Sequence, residues 1–363
     1  MASFEMTRLV LRAGLIGMAA ALVGCASAPL PPAPTPGVLP VAQSNNAVAL
    51  ADARGQAVLY SFNGLGAGKT HEDVSKQVFA GRLASPPCVR LKDVPVRKGR
   101  LASSAVTLGN RIYLFGGYTV AADGAEVSTP EVFSFDPEKD RFRELAEMPV
   151  PVDDAVLFTH LDRYIYLVSG WHDTDNVSLV QVYDTEENTW ARATNYPGSP
   201  VFGHAGGAAN GEIVIADGVA VLGTENGRRQ YGEVGEVWHG RISRDHHLQI
   251  EWTRLPDHPY GPLYRMAATG SETRRQIVFA GGGDNPYNIT GVGYDGVNAV
   301  PSDKVFAYDL RKDEWVTLGT LDEPSMDHRG LLEHEGRFYI VGGLDAELNV
   351  RDAITVFTPE DTR

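Results

Sequence analysis

Cysteine is scarce in this chain of 363 residues, which has only Cys25 and Cys88. Cys25 ends an N-terminal apolar stretch, so Cys88 has no partner for an internal disulfide, and we expect it to be a small buried hydrophobic residue. Metal-ligand spacings of the HxxxH, HExxH or CxxC kind are absent, as is the GxSxG of a nucleophile elbow. The sequence therefore supports no metal site, and we expect no cofactor.

Basic residues are also in short supply. The chain has 32 Lys and Arg against 46 Asp and Glu, a formal net charge of −14. It contains no run of Lys or Arg that could follow a phosphate backbone. Nucleic-acid binding is therefore disfavoured.

Long apolar stretches are absent except near the N-terminus, at residues 13–23, where they follow Arg8 and Arg12. That stretch is too short to span a bilayer and has the pattern of an export signal. Leu22-Val23-Gly24-Cys25 resembles the lipobox of bacterial lipoproteins, which implies cleavage before Cys25 and lipidation of that residue. The alternative is a plain secretory signal in which Cys25 is incidental.

The predicted organisation is a signal peptide over residues 1–25, a proline-rich tether over 26–35 and one folded domain over 36–363. Four prolines in the tether favour an extended, semi-rigid spacer. By analogy with lipoproteins, Ala26 after the cysteine favours the outer membrane, with the domain facing the periplasm. The expected partners are thus the bilayer, reached through the acylated N-terminus, and whatever the folded domain binds.

What the chain does contain is a unit that recurs six times. Each copy has an apolar run ending in glycine, and these glycines recur at intervals of about 50 to 60 residues. An aromatic-Asp pair and a later aromatic residue follow most of the runs, as in Tyr183-Asp184 with Trp190. Aromatic and β-branched residues bounded by Gly, Pro, Asn and Asp predict short strands, about four to a unit. The marker glycines are Gly64, Gly116, Gly170, Gly218, Gly281 and Gly342.

These motifs resemble the kelch family of β-propellers over nearly the whole mature chain. The resemblance implies an all-β fold, a six-bladed kelch-type β-propeller, with the large aromatics packed between blades. The last unit stops after Ile354-Thr355-Val356-Phe357 without a fourth strand. We therefore expect an N-terminal strand near residues 36–40 to complete that blade and close the ring.

Residues just before the first strand and just after the glycine run of each blade should converge around one mouth of the channel. His, Arg, Asp and aromatic side chains at these positions would suit a small polar, possibly anionic ligand. We assign catalytic roles to Asp327, His328 and His204. The ligand-binding candidates are Arg265, Arg329, Tyr264, Asn285, Tyr287 and Trp171.

Structural explanations exist for several of these residues. Asp327, His328 and Arg329 could form a hydrogen-bonded network between blades, and His204 could be a buried structural histidine. Asn285 could serve only a turn. The neighbouring pair Asp153-Asp154 could be a solvated edge.

In its six blades, export signal and size, the chain is similar to bacterial periplasmic kelch propellers of the N-acetylneuraminate epimerase, or sialic-acid mutarotase, type. The resemblance implies acid–base interconversion of sugar anomers, with an arginine for the carboxylate. That type has a glutamate directly after the blade-four glycine run and an arginine a few residues later. Here Val219 follows Gly218, and Arg228 and Arg229 come further on. The alternative function is a non-catalytic module on the cell envelope that binds a glycan or a protein partner.

Overall fold

The computed structural model describes residues 37–83 and 85–359, in which six antiparallel blade sheets follow one another in chain order beside three two-stranded sheets. In the first five sheets four strands pair in sequence from the centre outward, and the sixth sheet has three. A single 3-10 turn, His71–Asp73, lies in the first blade. The all-β, six-bladed propeller predicted from the repeat is therefore confirmed.

The repeat unit corresponds to one blade. Its glycine-terminated run is the second strand, and its aromatic-Asp pair ends the third. The strands of blades one to three are Ala47–Asp52, Ala57–Phe62, Val78–Arg82 and Ser85–Arg90; Ser104–Leu108, Arg111–Phe115, Val132–Asp136 and Arg141–Glu144; and Val156–His160, Tyr164–Val168, Val180–Asp184 and Thr189–Arg192. Those of blades four to six are Ala205–Ala209, Glu212–Ala216, Val237–Ile242 and Ile250–Leu255; Ala267–Ser271, Gln276–Ala280, Lys304–Asp309 and Glu314–Thr320; and Leu332–His334, Arg337–Val341 and Ile354–Phe357.

Three blades carry an extra hairpin in the loop between their second and third strands. These hairpins lie on the face where the inner strands begin, because the second strand of each blade ends there. They are Tyr118–Val120 with Glu126–Ser128, Trp171–His172 with Asp175–Asn176, and Val219–Glu225 with Arg228–Glu233.

Aromatic side chains of neighbouring strands pack against one another, as the repeat predicts. Trp190 lies 5.0 Å from Tyr183, and Trp315 lies 5.2 Å from Tyr308, between ring centroids. The two indole N–H groups donate to Ala146 O and Pro256 O at 2.9 Å. Cys88 is buried, as expected for a small hydrophobic residue.

The predicted N-terminal closing strand, near residues 36–40, is not found among the residues that the structure describes. Residues 37–40 form no strand, and the sheet of blade six has three strands among the residues that the structure describes. The segment instead meets the chain just before the last strand: Leu39 N–H donates to Asp352 O at 2.8 Å and Gln43 N–H to Arg351 O at 3.0 Å. Pro40 has no N–H to donate, so a regular ladder is interrupted here. Residue 36, the tether and Cys25 lie outside the described residues.

Lys69 adds a second link between the first and last blades. Its ammonium donates to Leu348 O at 2.7 Å and to Thr290 O at 3.2 Å, which joins loops of blades one, six and five. Hydrogen bonds from a charged donor contribute more than neutral ones. The link therefore supports ring closure through loops rather than strands.

We expect Lys69→Met to lower the free energy of unfolding by about 1.5 kcal/mol, because two carbonyl groups lose a charged donor. Urea denaturation would measure the change. Lys98→Met, at an exposed lysine in the loop leading to blade two, is the control and should leave stability unchanged. Equal effects of the two substitutions would contradict a closing role for Lys69.

Candidate functional site

A ring of six residues, one per blade, surrounds the axis just before the inner strands. All six have backbone φ in the left-handed region, between 51° and 68°. The ring residues are Asn45, Ala102, Asp154, Gly203, Arg265 and Asp327.

Hydrogen bonds join the ring from blade to blade. Gly203 N–H donates to Asp154 O at 3.1 Å and Arg265 N–H to Gly203 O at 2.8 Å. Ala102 N–H donates to the Asn45 side-chain oxygen at 2.9 Å, and Asn45 N–H to Asp327 O at 3.0 Å. The structure thus brings together at one end of the channel the positions that the sequence places there.

Four charged side chains form a buried network inside this ring. Arg265 donates from Nη2 and Nε to the two oxygens of Asp154, at 2.6 and 3.2 Å, and from Nη1 to Asp327 Oδ1 at 3.0 Å. Arg329 also pairs with Asp154. Asp154, Arg265 and Asp327 are only 1%, 4% and 2% exposed.

The charges in this network balance, with two guanidinium groups against two carboxylates. Burial alone would raise the pKa of Asp154, but Arg265 and Arg329 lower it below its ordinary value. Burial likewise disfavours the charged form of Arg265. Nearby groups, of which Asp154 has the largest effect, nevertheless raise the pKa of Arg265 well above its ordinary value. The network is thus satisfied internally and needs no ligand charge to be stable.

The neighbouring pair Asp153-Asp154 is buried, so the solvated-edge explanation is wrong. Asp153 accepts a hydrogen bond from Ser128 Oγ at 2.7 Å. Burial, followed by the nearby Asp154, raises the pKa of Asp153 well above its ordinary value, which favours the protonated acid.

The two predicted catalytic histidines follow ring residues and lie between blades. His204 Nε2 contacts Val168 O at 2.9 Å, and the equivalent Asn46 donates to Val341 O at 3.3 Å. Burial lowers the pKa of His204 to about 4 and that of His328 to about 3. Both are therefore neutral near pH 7, and both line the channel beside the inner strands. Catalysis by His204, His328 and Asp327 stays a prediction.

The predicted ligand-binding residues fall into two groups. Tyr264 and Tyr287 cover Arg265, whose guanidinium carbon lies 4.7 and 5.6 Å from their ring centroids. All three are buried, so they reach a ligand only if this packing opens. Asn285 lies apart from the network and donates to Asp295 Oδ1 at 3.0 Å and to Val297 O at 3.2 Å, which fits turn chemistry.

A second set of side chains, which includes Trp171, lies between the buried network and solvent. The Trp171 indole packs on Phe202 at 5.5 Å, and the guanidinium of Arg229 lies 5.2 Å from the centroid of the Trp171 ring. Tyr231, which lies in the same blade-four hairpin as Arg229, packs against Tyr294 of the blade-five loop, with ring centroids 4.4 Å apart. We call Glu126, Trp171, Arg229, Tyr231 and Tyr294 the mouth cluster.

Glu126 supplies the carboxylate of the mouth cluster. Its side chain is exposed, yet packed surroundings raise its pKa, while Arg265 and Arg229 oppose that rise. Tyr294 is 49% exposed, and burial of its hydroxyl end raises its pKa as well. Among the described residues, the Arg229 guanidinium makes no ion pair with a carboxylate. The mouth cluster therefore offers a guanidinium, a carboxyl group and the exposed part of the Tyr294 ring to a molecule arriving from solvent.

Three residues of the mouth cluster were not predicted from the sequence: Glu126, Tyr231 and Tyr294. They lie in loops that follow the glycine run, well beyond the run itself. One sequence feature could have indicated two of these loops. The interval between marker glycines is longest where blade four carries its hairpin and blade five carries the 284–300 loop.

The channel behind the network is a separate cavity. It has a volume of about 350 Å³ and is lined by all six inner strands. Small residues such as Ala105, Gly206 and Gly270 leave the space open, and Arg329, Glu272 and Glu333 supply charge. The paired network separates this cavity from the mouth cluster.

Comparison with known proteins supports the architecture. The family model for the kelch motif matches residues 99–149. The chain is a kelch-repeat protein. Kelch-like protein 15 of Danio rerio is 25% identical over 272 residues, which is 74% of this chain and 42% of that protein. Kelch-like protein 26 of the same species is 32% identical over 108 residues, 29% of this chain and 17% of that protein. The kelch propeller thus spans less than half the length of these relatives.

A solved structure, that of YjhT, has the same fold. It superposes with a TM-score of 0.70 at 15% sequence identity, covering 90% of this chain and 97% of that chain. At this identity the likeness shows the fold alone.

The described part of the kelch propeller contains neither a metal-ligand cluster nor a membrane-spanning helix. No group of three or more His, Cys, Asp or Glu side chains there is arranged to hold a metal ion. No helix in the same residues is long and apolar enough to cross a membrane.

Proposed function

We propose that this kelch propeller binds a small polar ligand, an acidic sugar, at the mouth cluster. The observation that carries the proposal is an exposed guanidinium, Arg229, held over Trp171 and acting electrostatically on the carboxyl group of Glu126. Arginine binds carboxylates through a planar fork, and aromatic faces suit sugar rings. Arg229 therefore replaces Arg265, which is already paired, as the residue that meets the ligand carboxylate.

The same cluster could support interconversion of sugar anomers. That reaction needs a group that gives a proton to the ring oxygen and one that takes a proton from the anomeric hydroxyl. Glu126 is exposed to solvent and has a raised pKa, so it is better placed for proton transfer than the buried histidines. In this proposal Glu126 is the acid–base residue.

Export and lipid anchoring form the second part of the proposal. They depend on the residues up to Cys25, which precede the described part of the chain. If the lipobox is processed, the propeller is held at the outer membrane and meets ligands of the periplasm.

Calorimetric titration with N-acetylneuraminic acid and with glucose tests the binding site. We expect the acidic sugar to bind more tightly than glucose, and Arg229→Gln to weaken it about tenfold, equal to about 1.4 kcal/mol. Arg228→Gln is the matched control, because adjacent strand residues point to opposite faces. The proposal fails if neither sugar binds, or if both arginine variants bind like the wild type.

Anomer exchange measured by NMR separates the two functions. Faster exchange of N-acetylneuraminic acid with wild type, lost in Glu126→Gln, would support the mutarotase. Binding without acceleration would favour the non-catalytic glycan-binding module, and the fully paired state of Arg265, Asp154 and Asp327 is the observation that favours that alternative.

A further inference from the structure

Two walls of the mouth cluster belong to different blades. One is the blade-four hairpin, Val219–Glu225 with Arg228–Glu233, and the other is the blade-five loop over residues 284–300. They meet where Tyr231 packs on Tyr294, with ring centroids 4.4 Å apart. Because the hairpin carries Arg229 and the loop carries Tyr294, their separation sets the width of the mouth cluster.

Glu233 is the last residue of the hairpin, two residues after Tyr231 and paired with Val219. Its Oε1 atom is buried and has no hydrogen-bond partner. The groups that act on it electrostatically are both acidic: Asp284 from the blade-five loop and Asp217 from the end of a blade-four strand.

Among the residues that the structure describes, no cation acts on Glu233. His258 is already bound to Asp217 Oδ2 at 2.7 Å, and Leu263 N–H donates to the same oxygen at 2.8 Å. The other charged group nearby, Asp257, is acidic and pairs with Arg254. An ionised Glu233 would therefore be a buried carboxylate oxygen beside two like charges, which is unfavourable.

We propose that Glu233 is a proton-operated latch between the two walls. When protonated, it lets the hairpin rest against the blade-five loop. When ionised, it is repelled by Asp284 and Asp217 and drawn toward water, which separates Tyr231 from Tyr294 and widens the mouth cluster. Only the link to ligand binding rests on the proposed function, because the movement itself needs no ligand.

The direction of the pH dependence follows from the proton affinity of the closed arrangement. Burial, then Asp284 and Asp217, raise the pKa of Glu233 from 4.5 to about 7. A carboxyl group whose pKa is raised in one state favours that state at low pH and loses this contribution as the pH rises toward the raised value. The closed form should therefore be favoured most at low pH, and the open form should gain as the pH rises toward and through about 7.

Hydroxyl-radical footprinting of the full chain without ligand tests the latch. Labelling of Tyr231 and Tyr294 should rise between about pH 6 and pH 8 with a midpoint near 7. Exposed Leu161 serves as the dose reference. Glu233→Gln, which keeps the shape but cannot ionise, should give the low-pH labelling throughout. Glu225→Gln, on the same hairpin near its turn, is the matched control and should behave like the wild type.

A second variant keeps the test independent of how well Glu233→Gln folds. Asp284→Asn removes one repelling charge and should move the labelling midpoint to lower pH. Labelling that is flat with pH in the wild type, or equally pH-dependent in Glu233→Gln, would overturn the latch. Failure of sugar binding with a normal labelling transition would count against the proposed function alone.

Discussion

Arg265→Met is expected to lower the free energy of unfolding by about 3–5 kcal/mol, the cost of removing one partner from a buried charge network. The substitution leaves Asp327 buried with only Asn45 and Tyr287 as donors, at 3.2 and 3.4 Å. Asp154 keeps Arg329 but loses both bonds from Arg265. Urea denaturation followed by tryptophan fluorescence would measure the loss.

A double variant distinguishes the stability lost through unbalanced charge from the stability lost through changed packing. Arg265→Met with Asp327→Asn restores equal numbers of positive and negative groups, so it should be more stable than Arg265→Met alone. Arg143→Met, at an exposed arginine of blade two, controls for the loss of an arginine as such. A decrease below about 1 kcal/mol for Arg265→Met would show that the network is not structural.

The blades were predictable because their signals are local. The run Ile165-Tyr166-Leu167-Val168 and the pair Tyr183-Asp184 each specify a strand and its end within a few residues. The repeat then supplies the order of the sheets, because neighbouring units must cover each other's faces. The convergence of Asp154, Arg265 and Asp327 follows from the same symmetry.

The pairing within the site was not predictable from the repeat. Which carboxylate pairs with Arg265 depends on side-chain positions across the channel. In sequence, Asp154 is 111 residues from Arg265 and Asp327 is 62 residues from it. The ring closure was missed in part for a similar reason. A missing fourth strand indicates an open edge, but the described contacts that close the ring are made by loops, through Lys69 and Gln43.

Pairing within the ring also explains why the candidate ligand site lies further out than the sequence indicates. Arg265 has the residue type of a carboxylate binder, but Asp154 and Asp327 occupy its donors and Tyr264 and Tyr287 cover its faces. The exposed Arg229 belongs to an inserted hairpin, and the longer repeat interval indicates the insertion but not where its side chains lie. Blade-building residues thus hold the axis together, and the loops carry the groups that differ from blade to blade.

We expect Gly270→Ala to lower the free energy of unfolding by about 3 kcal/mol, the upper end of typical overpacking costs. Gly270 lies in the inner strand Ala267–Ser271, where a Cβ atom would come 1.9 Å from Ala208 O and 2.4 Å from the carbon of that carbonyl. Gly207 of the neighbouring blade is constrained too, though less tightly, with 2.5 Å from its Cβ position to the Gly270 nitrogen. Both neighbours are backbone, so no side-chain rotation relieves the contact.

The expected loss therefore measures how closely blades four and five approach each other around the axis. Gly66→Ala is the control, because its nearest neighbour, Asp73 Cβ, would lie at an ordinary contact distance of 3.5 Å. That substitution should change stability by less than about 0.5 kcal/mol in urea denaturation. If Gly270→Ala is as well tolerated as Gly66→Ala, the two inner strands can separate, and the close packing of these blades is not what keeps the channel narrow.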